Sequence, residues 1–259
     1  MDSAVDSPAF DRRNWIAGLE KGLAIIETFD VENSRLSATE VARRTGMTRS
    51  SARRHLMMLS YLGFVANDGK SFWLCPKVLR LGTAYLYSAR LPRVVQPFLQ
   101  RLTGATQESA FLSVLDGNEL VYIARNGSNR VMNTGFALGA RVPPVVASAG
   151  IAILSTRPVS EANAWLDRYA IKPFTPFTLN SREQIWACIH AASQQGYALV
   201  EQQLEVGVRG LAVPLKNHKA ETIGALSLHM PIGTEDMADA VRRALPALQQ
   251  VASELRNLV

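Results

Sequence analysis

Apolar residues first recur at helical spacing between Trp15 and Phe29, where Ile16, Leu19, Leu23, Ile26 and Phe29 share one face. This spacing predicts a helix packed behind whatever follows. Ser37 to Tyr61 then reads as two short helices joined by a tight turn. Ala38 to Arg44 is the first, opened by Ser37 with Glu40 three residues on, a spacing at which side chain and backbone satisfy each other's hydrogen bonds. Thr45 and Gly46 end it, because glycine takes the left-handed conformation of a helix stop. Thr48 opens the second helix, which runs to about Ser60. Its Ala52, Leu56 and Leu59 form an inward stripe, and Arg49, Ser50, Arg53, Arg54 and His55 fall outside it. Phe64–Ala66 and Ser71–Leu74 alternate as strands around Asn67-Asp-Gly-Lys70, a strong hairpin signal. Helix, turn, helix and hairpin in that order predict a winged helix-turn-helix with Lys70 at the wing tip.

Pro76 to Arg90 predicts a connecting helix, in which Gly82, Tyr85 and Tyr87 could serve a dimer contact or simply pack on the second part. Leu91-Pro92 is expected to interrupt it, since proline disfavours helix in the residue before it. A further helix is predicted from Arg93 to about Thr103. From Glu108 the period changes. Ser109–Leu115 and Glu119–Arg125 read as strands across Asp116-Gly-Asn118, and Asn129–Phe136 as a possible third. A loop containing Gly139, Pro143 and Pro144 leads into a helix of small residues. Trp165–Tyr169 closes a short helix and Ser181–Gln195 forms a longer one, capped by Ser181 and ended by Gly196. Tyr197–Glu201, Gly207–Leu215 and Thr222–Met230 read as strands, and Glu235–Leu258 as a closing amphipathic helix with Pro246 inside it. Strands and helices of this kind make the second part α+β.

The chain has 259 residues and is 47% hydrophobic, enough for two separate cores. Its net charge of +6 is uneven. Residues 1–90 hold 13 Lys+Arg against 9 Asp+Glu (+4), and the remainder 15 against 13 (+2). No acid lies between Glu40 and Asp68, yet Arg43, Arg44, Arg49, Arg53, Arg54 and His55 do. An ordinary solvated helix pair mixes both signs, so this gap raises the expectation of a polyanionic partner. Cys75 and Cys188 are far apart and lack metal-ligand spacing, so a reducing cytoplasm is expected and a disulfide framework or metal site is not. No apolar run approaches the ~20 residues of a membrane span. The opening residues, acidic and polar, read as a loose leader rather than a signal peptide. An enzyme is the main rival class, given His190, His218 and His229. There is, however, no Gly-x-Ser-x-Gly elbow, phosphate loop or His-Glu-x-x-His pair, and neither catalytic residues nor a cofactor are expected.

At this point the chain resembles the IclR-type bacterial transcriptional regulators. Gly18-Leu-Glu-Lys-Gly-Leu-Ala-Ile-Ile-Glu is similar to that family's opening helix, and Thr48-Arg-Ser-Ser-Ala-Arg-Arg-His-Leu to its recognition helix. Leu138-Gly-Ala-Arg-Val-Pro, Ser148-Ala-Gly and Glu205-Val-Gly-Val-Arg-Gly-Leu-Ala-Val-Pro-Leu look like its effector-domain signatures. The recognition-helix run and Val200-Glu-Gln-Gln-Leu-Glu resemble most closely the branch that regulates breakdown of aromatic acids such as 4-hydroxybenzoate and protocatechuate. The resemblance implies a winged helix-turn-helix domain (residues 15–75, after a leader at 1–14), a linker helix (76–90) and a GAF-like effector-binding domain (91–259). It also implies a dimer or tetramer on palindromic double-stranded promoter DNA, controlled by a small organic acid. A regulator sensing an unrelated small metabolite stays open, as does a structural nucleoid protein, against which the large second part argues.

Candidate DNA contacts are Ser37, Thr48, Arg49, Ser50, Ser51, Arg53, Arg54 and Lys70, with the Thr48–Ser60 helix expected in the major groove. For the effector, Gly139, Ala140 and Arg141 precede the helix of small residues, and N–H groups at a helix start suit a carboxylate. Ser148 adds a hydroxyl. By resemblance, Gly139 and Ala140 line the pocket together with the strand positions Gly210, Ser227 and His229. Glu201 joins them, although relatives often carry an aspartate in that segment. Gly210 stands where relatives often have cysteine or serine, which would leave room for a ring. Arg125 and Asn133 rank behind these.

Overall fold

Capping chemistry sets where each helix of the N-terminal unit starts and stops. In the computed structural model, which describes residues 12–127, 136–233 and 235–259, the Ser37 hydroxyl accepts from the Glu40 N–H (3.3 Å) and the Glu40 carboxylate from the Ser37 N–H (2.7 Å). Two donors that a helix start leaves unpaired are thereby satisfied. Helix α2 (Ala38–Thr45) stops at Gly46, φ +68°. Thr48 caps α3 (Arg49–Tyr61) by accepting from the Ser51 N–H at 3.2 Å. Ala52, Leu56 and Leu59 of α3 are buried, as their spacing predicts, together with Val41 of α2.

Helix α1 (Ala17–Ile26) uses only the C-terminal end of the expected face, together with Ile25. Ile25 is fully buried, with Ile26 and Phe29 packed beside it, whereas Ile16, Leu19 and Leu23 are exposed.

The wing is a three-stranded sheet, β1 (Leu36–Ser37), β2 (Val65–Asn67) and β3 (Ser71–Leu74), in the order β1-β3-β2. Its turn is tied by Asp68, whose Oδ1 accepts from the N–H groups of Ser71 (2.8 Å) and Lys70 (3.0 Å). Arg35 binds Asp68 at 3.0 Å and lies over the Trp73 ring at 3.9 Å. Strand β1 escaped the sequence reading because two residues before a helix cap carry no period.

The chain divides into two units, residues 1–84 and 85–259, and α4 (Leu79–Ser88) runs through the division. Helix α5 (Arg90–Thr106) begins before Pro92 rather than after it. The break falls at Ala89, and Pro92 occupies the first turn, where its missing N–H would be unpaired anyway. The second unit is built on six antiparallel strands: β4 (Ser109–Asp116), β5 (Glu119–Asn126), β6 (Arg141–Val142), β7 (Ala198–Glu201), β8 (Val208–Lys216) and β9 (Thr222–Pro231). Their order is β6-β5-β4-β9-β8-β7.

Side chains alternate across this sheet. Leu112, Leu211, Val213, Leu226 and Leu228 meet α5 and α9 (Met237–Leu255) on one face. On the other, Phe111, Tyr122, Val200 and Ala212 meet α6 (Ser148–Leu154), α7 (Val159–Asp167) and α8 (Arg182–Gln195). Helix α6 is buried throughout. Its small residues allow this: a Cβ on Gly150 would lie 2.1 Å from the Pro144 carbonyl oxygen.

Candidate functional site

On the first unit, the outer face of α3 carries Arg49, Ser50, Arg53 and Arg54, all exposed, with Ser51 half-buried beside them. None of these arginines, nor Lys70 on the wing, forms an ion pair among the described residues, whereas Arg44 reaches Asp30 at 3.6 Å. The Ser37 and Thr48 hydroxyls already accept capping bonds, and Thr48 also meets the Ser50 hydroxyl at 3.2 Å. His55 is less outward than expected, since its Nδ1 lies 2.8 Å from the Ser51 carbonyl oxygen and the ring is half-buried. A short helix with three unpaired guanidinium groups has the chemistry to meet both base edges and phosphates.

On the second unit, register places a row of side chains on the α6 face. Val200 pairs with Gly210, Gly210 with His229, and His229 with Ser109, across β7, β8, β9 and β4. Over this row lies a cleft lined by Val200, Gly210 and His229, with Tyr122, Phe136, Ser148 and the Gln202–Glu205 segment. Its space amounts to about 300 Å³ including the mouth, of which only about 20 Å³ admits the centre of a water molecule. The interior is therefore nearly closed, and a ring-sized ligand must displace part of the lining.

The lining is unusual in its polar groups. Tyr122 Oη, Ser148 Oγ and His229 Nδ1 are buried without a hydrogen-bond partner among the described residues, and so are Ser109 Oγ and Ser227 Oγ on the same face. A buried polar group left unpaired costs about 1–3 kcal/mol, so several on one face call for an explanation. His229 packs against Phe111 (tilted) and Phe136 (edge-on), each with ring centroids at 4.4 Å. Burial, and secondarily the Arg125 cation, push its imidazole down to about 3, so the ring is neutral at ordinary pH. Burial likewise raises the Tyr122 phenol, which stays protonated. A neutral imidazole, a phenol and a hydroxyl between aromatic rings can donate to and accept from a planar polar ligand.

Several expected residues lie elsewhere. Arg141 is on the edge strand β6, exposed, and bound to Glu119 (2.5 Å) and Asp116 (2.7 Å), which raise its basicity and occupy its donors. Gly139 and Ala140 are not at a helix start. The Gly139 N–H donates to the Tyr122 carbonyl (2.8 Å) and the Ala140 N–H to the Ala137 carbonyl (3.0 Å), so neither is free for a carboxylate. Strand β6 and the turn Pro144–Val146 separate them from α6. Glu201 pairs with Arg209 across β7 and β8, and alternation directs both to the face opposite Val200 and Gly210. There Arg209, 3% exposed, also donates to the Asp236 carbonyl at the start of α9. Ser227 is on the cleft side but below its lining, and Asn133 lies outside the described residues. Gly210, Ser148 and His229 do come together. Tyr122, Phe136 and Gln202–Glu205 were missed, for an apolar alternation cannot say which strand residue faces a cavity.

A basic winged helix-turn-helix combined with a sheet domain that encloses a polar cleft defines a ligand-responsive transcriptional regulator. Residues 18–69 match the IclR helix-turn-helix domain, and residues 83–257 match the bacterial transcriptional regulator IclR C-terminal domain. The chain belongs to the IclR family, whose members are transcriptional regulators and not enzymes. It is 35% identical to the Pca operon regulatory protein of Acinetobacter baylyi, over 100% of this chain and 95% of that one. It is 37% identical to the p-hydroxybenzoate hydroxylase transcriptional activator of the same organism, over 95% and 93%. Among solved structures, the inducer-binding domain of a PobR double mutant from Acinetobacter, in complex with 3-hydroxybenzoic acid, superposes with a TM-score of 0.62. It is 34% identical and covers 66% of this chain and 100% of that one. Among the described residues no helix is long and apolar enough to cross a membrane, and no cluster of three His, Cys, Asp or Glu could hold a metal.

Proposed function

We propose that this regulator responds to a hydroxylated single-ring aromatic carboxylate, of the 4-hydroxybenzoate or protocatechuate type, and controls genes of aromatic catabolism. The observation that carries the reading is the set of unbonded buried polar side chains, Tyr122, Ser148 and His229, of which Tyr122 and His229 pack against the rings of Phe111 and Phe136. The names of the two Acinetobacter relatives and the hydroxybenzoic acid in the PobR domain support it. In this reading Gly210 leaves space for the ring, and Ser148, Tyr122 and His229 meet its polar groups.

On the DNA side, Arg49, Ser50, Ser51, Arg53 and Arg54 would face the major groove. Lys70 would reach a backbone phosphate, and Ser37 and Thr48 would hold the two helix starts against the backbone. Residues 15–75 form the DNA-binding module after a leader at 1–14, 76–90 the linker and 91–259 the effector domain. The protein works in the cytoplasm as a dimer or a pair of dimers on a palindromic site. Support for the assembly comes from α4, a ten-residue helix with Leu79, Leu81, Tyr85 and Tyr87 exposed. So short a helix is marginal in water unless another surface covers it.

Calorimetric titration with 4-hydroxybenzoate, protocatechuate and pyruvate tests the effector. Saturable binding of the ring acids, tighter than of pyruvate, is expected. The small free interior favours one second reading, a two- or three-carbon acid, which would reverse that ranking. Binding of duplexes from the gene's own upstream region at low ionic strength tests the DNA side.

A further inference from the structure

One acid lines the cleft, and one cation stands behind its aromatic wall. Arg125 stands on β5, whereas Glu205 follows β7 and lines the cleft. Strands β5 and β8 are three places apart in the sheet, roughly 14 Å at about 4.8 Å per strand. The Arg125 guanidinium lies over the Phe111 ring, 5.6 Å from its centroid, and its Nη1 donates to the Phe136 carbonyl at 3.2 Å. That is the one hydrogen bond its five donors make among the described residues, and no carboxylate pairs with it there. Phe111 and Phe136 are the two rings that clasp His229, so this under-used cation sits directly behind the aromatic wall of the cleft. The unbonded Ser109 hydroxyl is beside it: a Cβ built on Gly127 would meet Arg125 Nη2 at 3.0 Å and Ser109 Oγ at 3.6 Å.

We infer that Arg125, and not Arg141, receives the carboxylate of the effector, which fixes its orientation with the acid group toward β5 and any ring hydroxyl toward Ser148 and Glu205. The inference rests on the proposed reading of the cleft as an aromatic-acid site. A planar guanidinium matches a carboxylate with two parallel bonds, and leaving Phe136 frees the donor that now holds that carbonyl. An acid group at the other end would face the Glu205 carboxylate instead. Arg141 already has two carboxylate partners at the sheet edge and offers no comparable vacancy of charge.

The test compares 4-hydroxybenzoate with its neutral isostere 4-hydroxybenzamide, titrated against full-length wild type, Arg125→Gln, Arg125→Lys and Arg141→Gln. Wild type and Arg141→Gln are expected to prefer the acid by about tenfold or more, the scale of a hydrogen bond to a charged group. Arg125→Gln should bring the ratio to near one, the acid losing more affinity than the amide, and Arg125→Lys should keep part of the preference. An Arg125→Gln protein that retains the wild-type ratio overturns the inference and leaves the aromatic reading standing. Should Arg125→Gln not fold, the other two variants decide: loss of preference in Arg141→Gln, or the full wild-type preference kept by a folded Arg125→Lys, overturns it. A wild type that binds no aromatic acid removes both the reading and the inference.

Discussion

Gly210 and Ser148 face each other so closely that neither can be changed without reference to the other. A Cβ on Gly210 would come within 2.7 Å of Ser148 Oγ and 3.3 Å of Ser148 Cβ. A side chain at 210 forces Ser148, which lines the cleft, to shift. Gly210→Val is therefore expected to weaken binding of a ring acid by about tenfold or more, the equivalent of 1–3 kcal/mol of overpacking. Gly210→Ala should cost less in a Ser148→Ala background than alone. Calorimetry on the four proteins of that cycle measures the coupling, and strictly additive effects would mean the two residues do not share the site.

His229 supplies a second residue-scale test, in pH. Its imidazole stays neutral in the folded protein down to about 3, whereas in the unfolded chain it takes a proton near 6.5. Between those values the unfolded state binds the extra proton, so this group's contribution to stability is full above about pH 6.5 and is lost as the solution is acidified. The loss amounts to up to about 1.4 kcal/mol per pH unit. Urea midpoints of wild type and His229→Gln, followed from about pH 7.5 to about pH 5, should converge on acidification. Parallel curves would show that the imidazole is not held neutral.

At the scale of elements, what could be read from the sequence was whatever has a local cause. The Ser37–Glu40 box, the Gly46 stop, the Thr48 cap and the Asp68-Gly69 turn each depend on residues within four positions, and all are where the pattern predicts them. The stretches that misled depend on distant neighbours. The stretch from α1 to Phe29 meets the core of α2 and α3 through Ile25, Ile26 and Phe29 only, and its period cannot say that Leu19 and Leu23 stay exposed. Pro92 breaks a helix or begins one according to where its N–H would have pointed. The loop at Gly139–Arg141 looks like an anion-binding helix start until the sheet engages its N–H groups and hairpin acids claim its arginine. Helix α3 is thus the best-founded element for a functional test. Arg53→Ala is expected to lower operator affinity and to narrow the ratio between operator and random duplex, by about 1–3 kcal/mol if a guanine is read. A loss equal for all sequences, with the salt slope reduced by about one, would assign Arg53 to a phosphate instead.

At the scale of the whole molecule, sheet order had no local signature at all: β4 pairs with β9, more than a hundred residues away, and that pairing is what brings His229 beside Ser109 and Phe111. The cleft over this sheet face exists only once the chain has returned. The same reasoning limits how regulation can work. The α3 face and the cleft belong to different units, so a bound acid can influence DNA only by binding two states of the protein unequally. If the acid multiplies operator affinity by some factor, the operator must multiply acid affinity by the same factor, whether the outcome in the cell is activation or repression. A factor of about 5–150 is the usual range for such coupling. Operator binding measured by fluorescence anisotropy with and without saturating acid gives one value, and acid binding measured by calorimetry with and without saturating operator duplex gives the other. Equal factors different from one are expected. Unequal factors would point to a change of oligomeric state within the cycle, and a factor of one in both directions would separate the cleft from the DNA-binding face altogether.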